Sequence, residues 1–471
     1  MALLSLETFE KRALAPLLEY ASLACLSPMF DDQWVSHGYL DQAMDLVAAW
    51  ARQRALAEFD VVVHRLEGRT PLLAVTVGAT GPATTTTTTV LYGHLDKQPP
   101  LGEWSDGLGP FTPVRRANRL YARGVADDGY AAFAALLALE SLEENGVPHG
   151  RCVVLIEASE ESSSPDLDAY LDLLADHLGT VGLMICLDSG ALSYDRLWVT
   201  TSLRGVVNIE LTVRVLERGV HSGTASGVVP SSFRILRELL DRVEDAATGE
   251  VLIAQCHAPI PEAHVRAARA VTAEFGDVVA DELPVVTGLT LMGELPEDRL
   301  IRRTWHPALS VVGMGGIPEP AIAGNVLRPS TSAVLSLRLA PGADASEATR
   351  ALTETLTRDV PSHAHVEVVA HSGSGWVAPP TAPWLAAALD AGSRDAFGHA
   401  PGFAGEGGSI PFLASLGARY PDVQFVATGV LGPESNAHGI DEMLDLDATV
   451  RVINAVATVV AAAYEHERAN S

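Results

Sequence analysis

The stretch TTTTTTVLYGHLDKQPP, residues 84–100, decides how the chain is interpreted. Threonine, valine, leucine and tyrosine favour strands, so the run predicts a buried strand that stops at Gly93. Alternate side chains of an extended chain share a face, which places His94 and Asp96 together where the strand ends. Loops at strand ends carry function in many proteins, but an ordinary surface loop with a histidine and an acid would have the same sequence. The rest of the chain decides between the two.

The composition is that of a globular protein with two or three domains. The chain has 471 residues, of which 48% are hydrophobic and 19% are charged. Its 59 acidic and 32 basic residues give a formal net charge of −27. This excess of negative charge argues against nucleic acid and anionic membrane surfaces as partners. It also means that most carboxylates are expected to be solvated and to have no chemical role.

The cysteines and the apolar segments predict a cytoplasmic protein. The four cysteines are widely spaced and form no CxxC, which suits reduced, buried thiols. The N-terminal residues lack both a basic region and an uninterrupted apolar region, so no signal peptide is predicted. No apolar run reaches the length of a membrane span, since the stretch 450–464 carries Arg451 and Asn454.

Up to residue 205, strand-like segments alternate with helix-like segments. Strands are predicted at 71–79, 84–94, 151–159, 181–189 and 196–205, and helices at 127–146 and 166–179. Apolar strands separated by helices are typical of an α/β fold, with a mostly parallel sheet flanked by helices on both faces.

The pattern then changes to that of a second domain. Residues 205–217 alternate apolar and polar side chains with period two, which indicates a sheet with one solvated face. Helices are predicted at 231–245 and 346–360, strands at 309–316, 330–341 and 364–372, and nothing is assignable at 250–308. After residue 376 the helix–strand alternation resumes. The prediction is a discontinuous catalytic domain, 1–204 and 371–471, with an inserted two-layer α+β lid at 205–370.

Acids and histidines recur where the predicted strands of the first domain end. They are His94, Asp96, Asp127, Asp128, Glu160, Glu161 and Asp188, joined by His438 in a downstream loop. Each has an ordinary structural explanation, because aspartate often caps helices and adjacent acids in an acidic chain are mostly solvated. Together, at the carboxyl ends of strands in an open α/β sheet, they predict one ligand-binding crevice.

The chemistry of this set predicts metal binding. So many carboxylates in one crevice would repel each other unless a cation neutralised them. A mixed set of histidine, aspartate and glutamate suits zinc, with manganese or cobalt as substitutes. Two histidines and three acids exceed the needs of one open tetrahedral ion, but they suit two ions that share a bridging carboxylate.

The chain resembles the M20 family of dinuclear zinc peptidases, nearest to its carnosinase-like, cytosolic nonspecific dipeptidase branch. The resemblance covers essentially the full length and rests on motifs that occur in the family's order. These are GHLDKQP (93–99), ARGVADDG (122–129), EASEES (157–162), CLDSG (186–190), GVHSGTASG (219–227), EGGSIP (406–411) and NAHGIDE (436–442).

The resemblance implies two metal ions in each subunit. His94 and Asp188 would bind one ion, Glu161 and His438 would bind the other, and Asp127 would bridge both.

The resemblance also implies the residues that act beside the ions. Glu160 would be the general base that takes a proton from the metal-bridging water, and it would return this proton to the leaving amine. Asp96 would hydrogen-bond to His94 and fix its tautomer. The peptide bond between Asp127 and Asp128 would be cis.

Further roles are implied in the substrate site and the lid. By itself His221 resembles a turn residue, but in similar proteins this histidine reaches the partner subunit's active site and supports the oxyanion. The lid would then be the dimerisation surface of a homodimer. Arg338 would bind the substrate carboxylate, although a strand arginine can equally face solvent. Asn325 would add a polar contact, and Gly408 and Ser409 would offer backbone and hydroxyl groups.

Two features depart from the family pattern or need a separate explanation. The helix-opening motif ends in Asp-Asp-Gly-Tyr, where many relatives have Asp-Asp-Lys-Gly, and the missing lysine is not a ligand. The segment CHAPIPEAH (256–264) matches no zinc spacing and is interpreted as an irregular lid loop.

The leading hypothesis is a two-metal dipeptidase that cleaves short peptides with a free carboxylate. An N-acyl-amino-acid amidohydrolase that uses the same metals on an acyl group is the alternative, because the motifs do not define what receives the substrate's N-terminal end. A third hypothesis is a catalytically inactive dimerisation or binding protein with the same fold. The presence of all five ligands and Glu160 argues against this third hypothesis.

Overall fold

The computed structural model describes residues 4–81 and 86–470. The chain divides into two compact units: the first comprises Met1–Thr201, Ala378–Ala404 and Ser415–Ser471, and the second comprises Ser202–Val377 and Gly405–Ala414. The roles predicted for 1–204 with 371–471, as a catalytic domain, and for 205–370, as a lid and dimerisation domain, stay predictions.

The strands alternate with helices along much of the chain. In chain order the strands are β1 (Phe59–His64), β2 (Leu72–Val77), β3 (Thr88–His94), β4 (Val114–Arg116), β5 (Arg119–Tyr121), β6 (Arg151–Glu157), β7 (Val181–Cys186), β8 (Trp198–Leu203), β9 (Gly205–Arg214), β10 (Val220–His221), β11 (Ala308–Gly315), β12 (Val326–Leu327), β13 (Ser330–Leu339), β14 (His365–Gly373), β15 (Trp376–Val377), β16 (Gly402–Glu406), β17 (Gln424–Ala427) and β18 (Met443–Asp445).

The α-helices range from single turns to one long C-terminal helix. They are α1 (Leu6–Phe9), α2 (Ala15–Ala21), α3 (Trp34–His37), α4 (Tyr39–Ala51), α5 (Ala131–Glu144), α6 (Leu167–Leu173), α7 (Ala175–Leu178), α8 (Ser222–Ala225), α9 (Ser232–Leu240), α10 (Glu262–Phe275), α11 (Val278–Glu282), α12 (Pro296–Thr304), α13 (Ala345–Thr357), α14 (Pro383–Phe397), α15 (Pro411–Arg419) and α16 (Leu446–Asn470).

A mixed sheet forms the centre of the first unit, with the strand order β1-β2-β6-β3-β7-β17-β8. The central strands β6, β3, β7 and β17 are parallel to one another, and antiparallel pairs lie on either side of them. The predicted α/β class, with a mostly parallel sheet flanked by helices, is confirmed.

The central strands are apolar along their length because both of their faces are covered. All seven residues of β3 are buried. The helices α5 and α16 pack against each other and share one hydrophobic core with these strands, to which Leu91, Leu136 and Val154 contribute. Burial of both faces explains why these strands show continuous apolar runs instead of alternation.

The strand β3 begins at Thr88, later than predicted. Residues 84–85 of the predicted strand lie outside the described residues. Thr86 and Thr87 donate hydrogen bonds to the carboxylate of Glu467 on α16, through both backbone N–H and hydroxyl groups. These side-chain contacts replace the ladder hydrogen bonds that would extend the strand.

Helix α16 has an alanine- and valine-rich sequence and is the last element of the first unit. Among the described residues it is the one helix long and apolar enough to cross a membrane by length and composition. However, 67% of its most apolar window is buried inside the protein, as in a core helix. Its polar Asn454 is also buried and exchanges hydrogen bonds with the backbone of Leu4.

The second unit contains a four-stranded antiparallel sheet, ordered β11-β13-β9-β14, with α9 and α13 packed on one face. Along β9, Val207, Ile209, Leu211 and Val213 are buried and the residues between them are more exposed, which agrees with the predicted alternation. The segment 250–308, for which no element was predicted, contains α10, α11 and α12. Few of their side chains are buried, for example only Leu300 and Thr304 in α12, so these helices show no long apolar runs in the sequence.

Candidate metal centre

Side chains from five segments of the first unit converge at the carboxyl edge of its parallel strands. His94 ends β3, Asp188 follows β7, Glu161 lies in a 3₁₀ turn after β6, Asp127 precedes α5, and His438 lies before β18. Because β6, β3 and β7 are parallel neighbours, their carboxyl ends meet at one edge of the sheet, where open α/β folds bind ligands.

One cluster at this edge consists of His94, Asp127 and Asp188. Nε2 of His94 lies 3.2 Å from Oδ1 of Asp127 and 3.8 Å from Oδ2 of Asp188. All three residues are buried. The histidine therefore faces two carboxylates with its Nε2 atom.

The second cluster consists of Asp127, Glu161 and His438. Nε2 of His438 lies 2.9 Å from Oδ2 of Asp127 and 3.3 Å from Oε1 of Glu161. Asp127 thus belongs to both clusters, and it presents a different carboxylate oxygen to each histidine.

The donor atoms of these clusters fit divalent metal ions. Within each cluster one imidazole nitrogen and two carboxylate oxygens lie within 4.8 Å of one another. A mixed nitrogen and oxygen set of this kind suits zinc, manganese or cobalt. Asp127, which offers one oxygen to each cluster, has the arrangement of a carboxylate shared by two ions.

The electrostatics of the clusters favour positive charge. Burial by itself would raise the pKa of Asp127, but hydrogen bonds with His438 and His94 lower this pKa well below its usual value. Burial would lower the pKa of His438, but the carboxylates of Asp127 and Glu161 raise it to about 11. Burial and the charge of Asp127 raise the pKa of Glu161. A site that stabilises positive charge in this way meets the electrostatic requirement for binding a cation.

Asp96 lies behind His94 and is fully buried. Nδ1 of His94 donates to the backbone carbonyl of Asp96 at 3.2 Å, and Oδ1 of the Asp96 carboxylate lies 3.4 Å from the same nitrogen. With the proton on Nδ1, the Nε2 atom of His94 is free to bind a metal ion. The carboxylate of Asp96 also accepts the backbone N–H groups of Glu160 at 3.1 Å and Glu161 at 3.0 Å.

Glu160 lies beside the clusters but belongs to neither. It is 8% exposed. Burial, followed by the negative charges of Asp188 and Glu161, raises the pKa of its carboxyl group well above the usual value. A carboxylate with a raised pKa is suited to accept and return a proton near neutral pH.

The backbone around Asp127 has the form that the resemblance implied. The Asp127–Asp128 peptide bond is cis. Oδ2 of Asp128 accepts the backbone N–H of His94 at 3.2 Å, which connects this turn to the end of β3.

The departure at Asp-Asp-Gly-Tyr has a steric reason in this chain. A Cβ atom on Gly129 would lie 2.1 Å from Cε1 of Tyr20 and 2.4 Å from the carbonyl oxygen of Gly124. The next residue, Tyr130, donates its hydroxyl to the backbone carbonyl of Leu187. The packing of Tyr20 and the carbonyl of Gly124 therefore favour glycine at position 129.

The remaining predicted site residues belong to the second unit. His221 lies on β10, is exposed, and accepts the backbone N–H of Gly223 at 3.1 Å through Nδ1. Asn325 is exposed, and its carbonyl accepts from Ser222 at 2.9 Å, beside the pairing of β10 with β12. The second unit therefore brings the loops of His221 and Asn325 together, and both predicted roles stay predictions.

Arg338 and Ser409 meet within the second unit. Nη1 of Arg338 donates to Oγ of Ser409 at 2.8 Å. The carbonyl of Gly408 accepts the backbone N–H of Arg204 at 3.1 Å. The structure therefore places these three predicted residues around one part of the second unit.

Sequence reasoning missed Arg204 in this group. Its guanidinium donates to the backbone carbonyls of Gly407 at 3.0 Å and His306 at 3.2 Å. Burial, and the neighbouring charges of Arg338 and Arg303, lower its pKa to about 10. The only signal in the sequence was a single arginine directly after an apolar strand.

Gln98 was also missed. Its Nε2 donates to Oε2 of Glu161 at 2.7 Å, on the side of the carboxylate that does not face His438. Gln98 belongs to the motif GHLDKQP, but nothing in the sequence paired it with a glutamate distant along the chain.

The segment 256–264 forms no metal cluster. Nε2 of His257 donates to the carbonyl of Val251 at 2.7 Å, and the ring of His264 packs edge-on against Trp305. Within 4–81 and 86–470, groups of three potential ligands occur only at the two clusters described above. The interpretation as a loop holds up to Glu262, where α10 begins.

Comparison with known proteins places the whole arrangement in context. Residues 90–462 match the family model described as Peptidase family M20/M25/M40. The cysteinylglycine-S-conjugate dipeptidase of Corynebacterium striatum is 28% identical over 383 residues, which cover 78% of this chain and 79% of that protein. The Cys-Gly metallodipeptidase dug1 of Schizosaccharomyces pombe is 25% identical over 420 residues, which cover 87% of this chain and 86% of that protein.

The fold is also found among solved structures. The dipeptidase Dug1p from Saccharomyces cerevisiae has a TM-score of 0.77 with this chain at 22% sequence identity. The match covers 98% of this chain and 97% of that one, so the two share a fold over nearly their whole lengths.

Proposed function

The chain belongs to peptidase family M20/M25/M40, and on this basis we propose that it is an enzyme that hydrolyses dipeptides in a metal-dependent reaction. The observation that carries the proposal is the position of Asp127 between two histidines. Its Oδ1 lies 3.2 Å from Nε2 of His94, and its Oδ2 lies 2.9 Å from Nε2 of His438. Relatives that match 78% and 87% of the chain are dipeptidases by name, which favours dipeptides over N-acyl amino acids as substrates.

Two divalent ions in each subunit are proposed, with zinc as the metal and manganese or cobalt as substitutes. His94 and Asp188 would hold one ion, Glu161 and His438 the other, and Asp127 both. Bound ions supply Lewis acidity, which polarises a carbonyl group and lowers the pKa of water.

Glu160 is the proposed proton carrier. Its backbone is held by Asp96, and its carboxylate lies outside both ligand clusters, so it remains available to substrate and water. In the forward reaction it accepts the proton of the attacking water as the bond to the carbonyl carbon forms. It then donates this proton to the leaving amine as the amide bond breaks.

The free carboxylate of a dipeptide is proposed to bind in the second unit at Arg338. Arg204 and Arg338 are half-buried there, and among the described residues neither forms an ion pair with a carboxylate. Two half-buried cations without anionic partners favour an anion as ligand, and guanidinium binds carboxylate in a bidentate fashion. Ser409, which accepts from Arg338, offers its hydroxyl to the same ligand, and Gly408 its backbone.

A homodimer is proposed, with His221 of each subunit supporting the oxyanion in the partner's active site and Asn325 adding a polar contact. The second unit offers an apolar surface for such an interface. Val312 on the edge strand β11 is 64% exposed, and Val369 on β14 is 47% exposed. Exposed apolar side chains on a sheet and its edge are typical of association surfaces.

A cytoplasmic location is also proposed. Cys25, Cys152, Cys186 and Cys256 are all free thiols and all buried. Buried thiols without disulfides suit a reducing compartment.

The proposed function is tested with a panel of dipeptides and N-acetylated amino acids, assayed after removal of metal and after addition of zinc, cobalt or manganese. Metal-dependent cleavage of dipeptides, in preference to the acetylated compounds, is the expected result. A preference for the acetylated compounds would retain the site but change the reaction to deacylation. Inactivity of the folded, metal-loaded protein on the whole panel would refute the proposal.

A further inference from the structure

A buried carboxylate lies directly behind the turn that carries Asp127. Glu442 is fully buried, and its Oε1 accepts the backbone N–H groups of Ala126 at 3.0 Å and Asp127 at 3.3 Å. Its Oε2 accepts the backbone N–H of Gly124 at 2.9 Å and Nη1 of Arg123 at 2.8 Å. All four hydrogen bonds therefore come from the segment 123–127, which leads into the shared carboxylate.

Arg123 links this segment to the loop of His438. Its side chain is 1% exposed, and its guanidinium divides its donors between two acceptors. While Nη1 binds Glu442, Nη2 donates to the backbone carbonyl of Gly439 at 2.6 Å, one residue after His438. The guanidinium thus connects the backbone beside His438 to Glu442, which in turn binds the backbone beside Asp127.

The conformation of the loop that carries His438 has to be maintained by contacts with neighbouring residues. The side chain of His438 is 54% exposed, so packing restrains it little. Its backbone has φ of +62°, a conformation that side chains other than glycine adopt infrequently and that neighbouring contacts must maintain. The contact of Gly439 with Arg123 is adjacent to this residue and is partly buried.

We propose that Arg123 and Glu442 are positioning residues that hold Asp127 and His438 at the spacing required by the second metal ion. This inference rests on the proposed function, because it assumes that the cluster of Asp127, Glu161 and His438 binds a cation. It assigns no contact with substrate to either residue. Asp127 belongs to both clusters, but His438 belongs to the second alone, so loss of the pair is expected to weaken the second ion more than the first.

The same chain contains another buried carboxylate, paired with arginines, that serves as a control for a purely structural role. Glu140 is a buried carboxylate on α5 whose Oε2 lies 3.3 Å from Arg12 and 3.7 Å from Arg54. The variant Glu140→Gln therefore removes a comparable charge from a pair that holds no candidate ligand. It is the matched control for loss of stability alone.

Two substitutions disrupt the link in different ways. Arg123→Lys retains the charge, but one ammonium group lacks the planar fork that reaches both Glu442 and Gly439. Glu442→Gln retains the size, but its amide nitrogen cannot accept hydrogen bonds, so backbone donors before Asp127 lose their acceptor. Glu442→Gln also serves as the test if Arg123→Lys does not fold.

The experiment is a titration of the metal-free full-length protein with Co²⁺, followed by visible absorbance, with melting temperature and dipeptide kinetics measured in parallel. We expect wild type and Glu140→Gln to bind two equivalents with the same affinities. Both link variants should bind the second equivalent about 10- to 100-fold more weakly, and the first with a smaller loss of affinity. At limiting metal, kcat should fall while KM stays near the wild-type value, and excess metal should restore kcat.

The outcomes separate this inference from the proposed function. If both link variants bind two equivalents as wild type does, whatever their melting temperatures, the inference is wrong. Equal weakening of both equivalents would also overturn it, because the effect would not be specific to the His438 cluster. Failure of the wild-type protein to bind a second ion would refute the two-metal proposal itself, and the inference with it.

Discussion

The carboxylate of Asp96 accepts the backbone N–H of Glu160 at 3.1 Å, so the group behind His94 also holds the proposed proton carrier. The other oxygen of the same carboxylate accepts from Glu161 at 3.0 Å. One buried side chain therefore orients His94 and the pair of adjacent glutamates together. The backbone of both glutamates is therefore held by one group, while only the side chain of Glu161 belongs to a ligand cluster.

The first prediction concerns Asp96. In Asp96→Asn, one of the two carboxylate oxygens is replaced by an amide nitrogen, which cannot accept the N–H of a glutamate. Activity at saturating metal is expected to fall about 10- to 100-fold, measured as kcat/KM on a cleaved dipeptide. Asp166→Asn is the control, because Asp166 accepts the N–H of Thr70 at 2.9 Å outside the candidate site. An equal loss in both variants would contradict a specific role for Asp96.

The second prediction separates the adjacent glutamates. Glu160→Gln is expected to lower kcat by about 10²- to 10⁴-fold while the protein retains its bound metal, because Glu160 is the proposed proton carrier and lies outside both ligand clusters. Glu161→Gln is expected to lose part of the metal content. Measurement of metal by elemental analysis beside kcat distinguishes them. Loss of metal in Glu160→Gln, with full retention in Glu161→Gln, would reverse the two assignments.

The third prediction concerns Glu157, whose carboxylate accepts from Tyr92 and, at 2.9 Å, from Ser164. Burial raises the pKa of this acid from 4.5 to about 7 in the folded protein. Because the folded state holds this proton more tightly than the unfolded state, the contribution to stability is complete below pH 4.5. It is lost as the pH rises towards 7, and the loss amounts to roughly 3 kcal/mol.

Glu157→Gln should remove this loss of stability with rising pH. Relative to wild type, its free energy of unfolding is therefore expected to increase between pH 5 and pH 8. Urea unfolding at several pH values measures the difference, and the exposed Glu103→Gln is the control. A difference between Glu157→Gln and wild type that does not change with pH would contradict the assigned pKa direction.

The fourth prediction concerns recognition of the substrate carboxylate. Arg338→Lys is expected to raise KM for a dipeptide about 10- to 100-fold, because hydrogen bonds to charged groups contribute about 1.5–3 kcal/mol and lysine lacks the fork of arginine. Wild type should show a similar penalty for a dipeptide amide, which has no carboxylate. If Arg338→Lys discriminates between dipeptide and amide as strongly as wild type does, Arg338 does not bind this group.

The fifth prediction concerns packing behind the centre. Gly129→Ala places a Cβ atom 2.1 Å from the ring of Tyr20, so unfolding free energy is expected to fall by about 1–3 kcal/mol. Gly324→Ala is the control, because a Cβ atom there meets nothing within 4 Å. Thermal or urea unfolding compares the two. Equal stability of both variants would contradict the steric requirement for glycine at position 129.

The sequence by itself determined the class of fold and the residues that gather at the candidate centre. Apolar runs such as β3 and helical patterns such as α5 are local signals, and His94 lies where the strand pattern ends. The parallel arrangement of β6, β3 and β7 then requires the residues after these strands to meet at one edge. That is why both ligand clusters could be proposed from the order of motifs.

Only the tertiary structure decided the contacts between segments that are distant along the chain. Arg123 and Glu442 are 319 positions apart, and no local pattern pairs a buried arginine with its carboxylate. The same holds for Arg204 beside Arg338, and for Gln98 beside Glu161. Such contacts depend on how separate strands and loops pack in three dimensions. A buried charge forms hydrogen bonds with the groups that lie near it in space, and these groups need not be near it in the sequence.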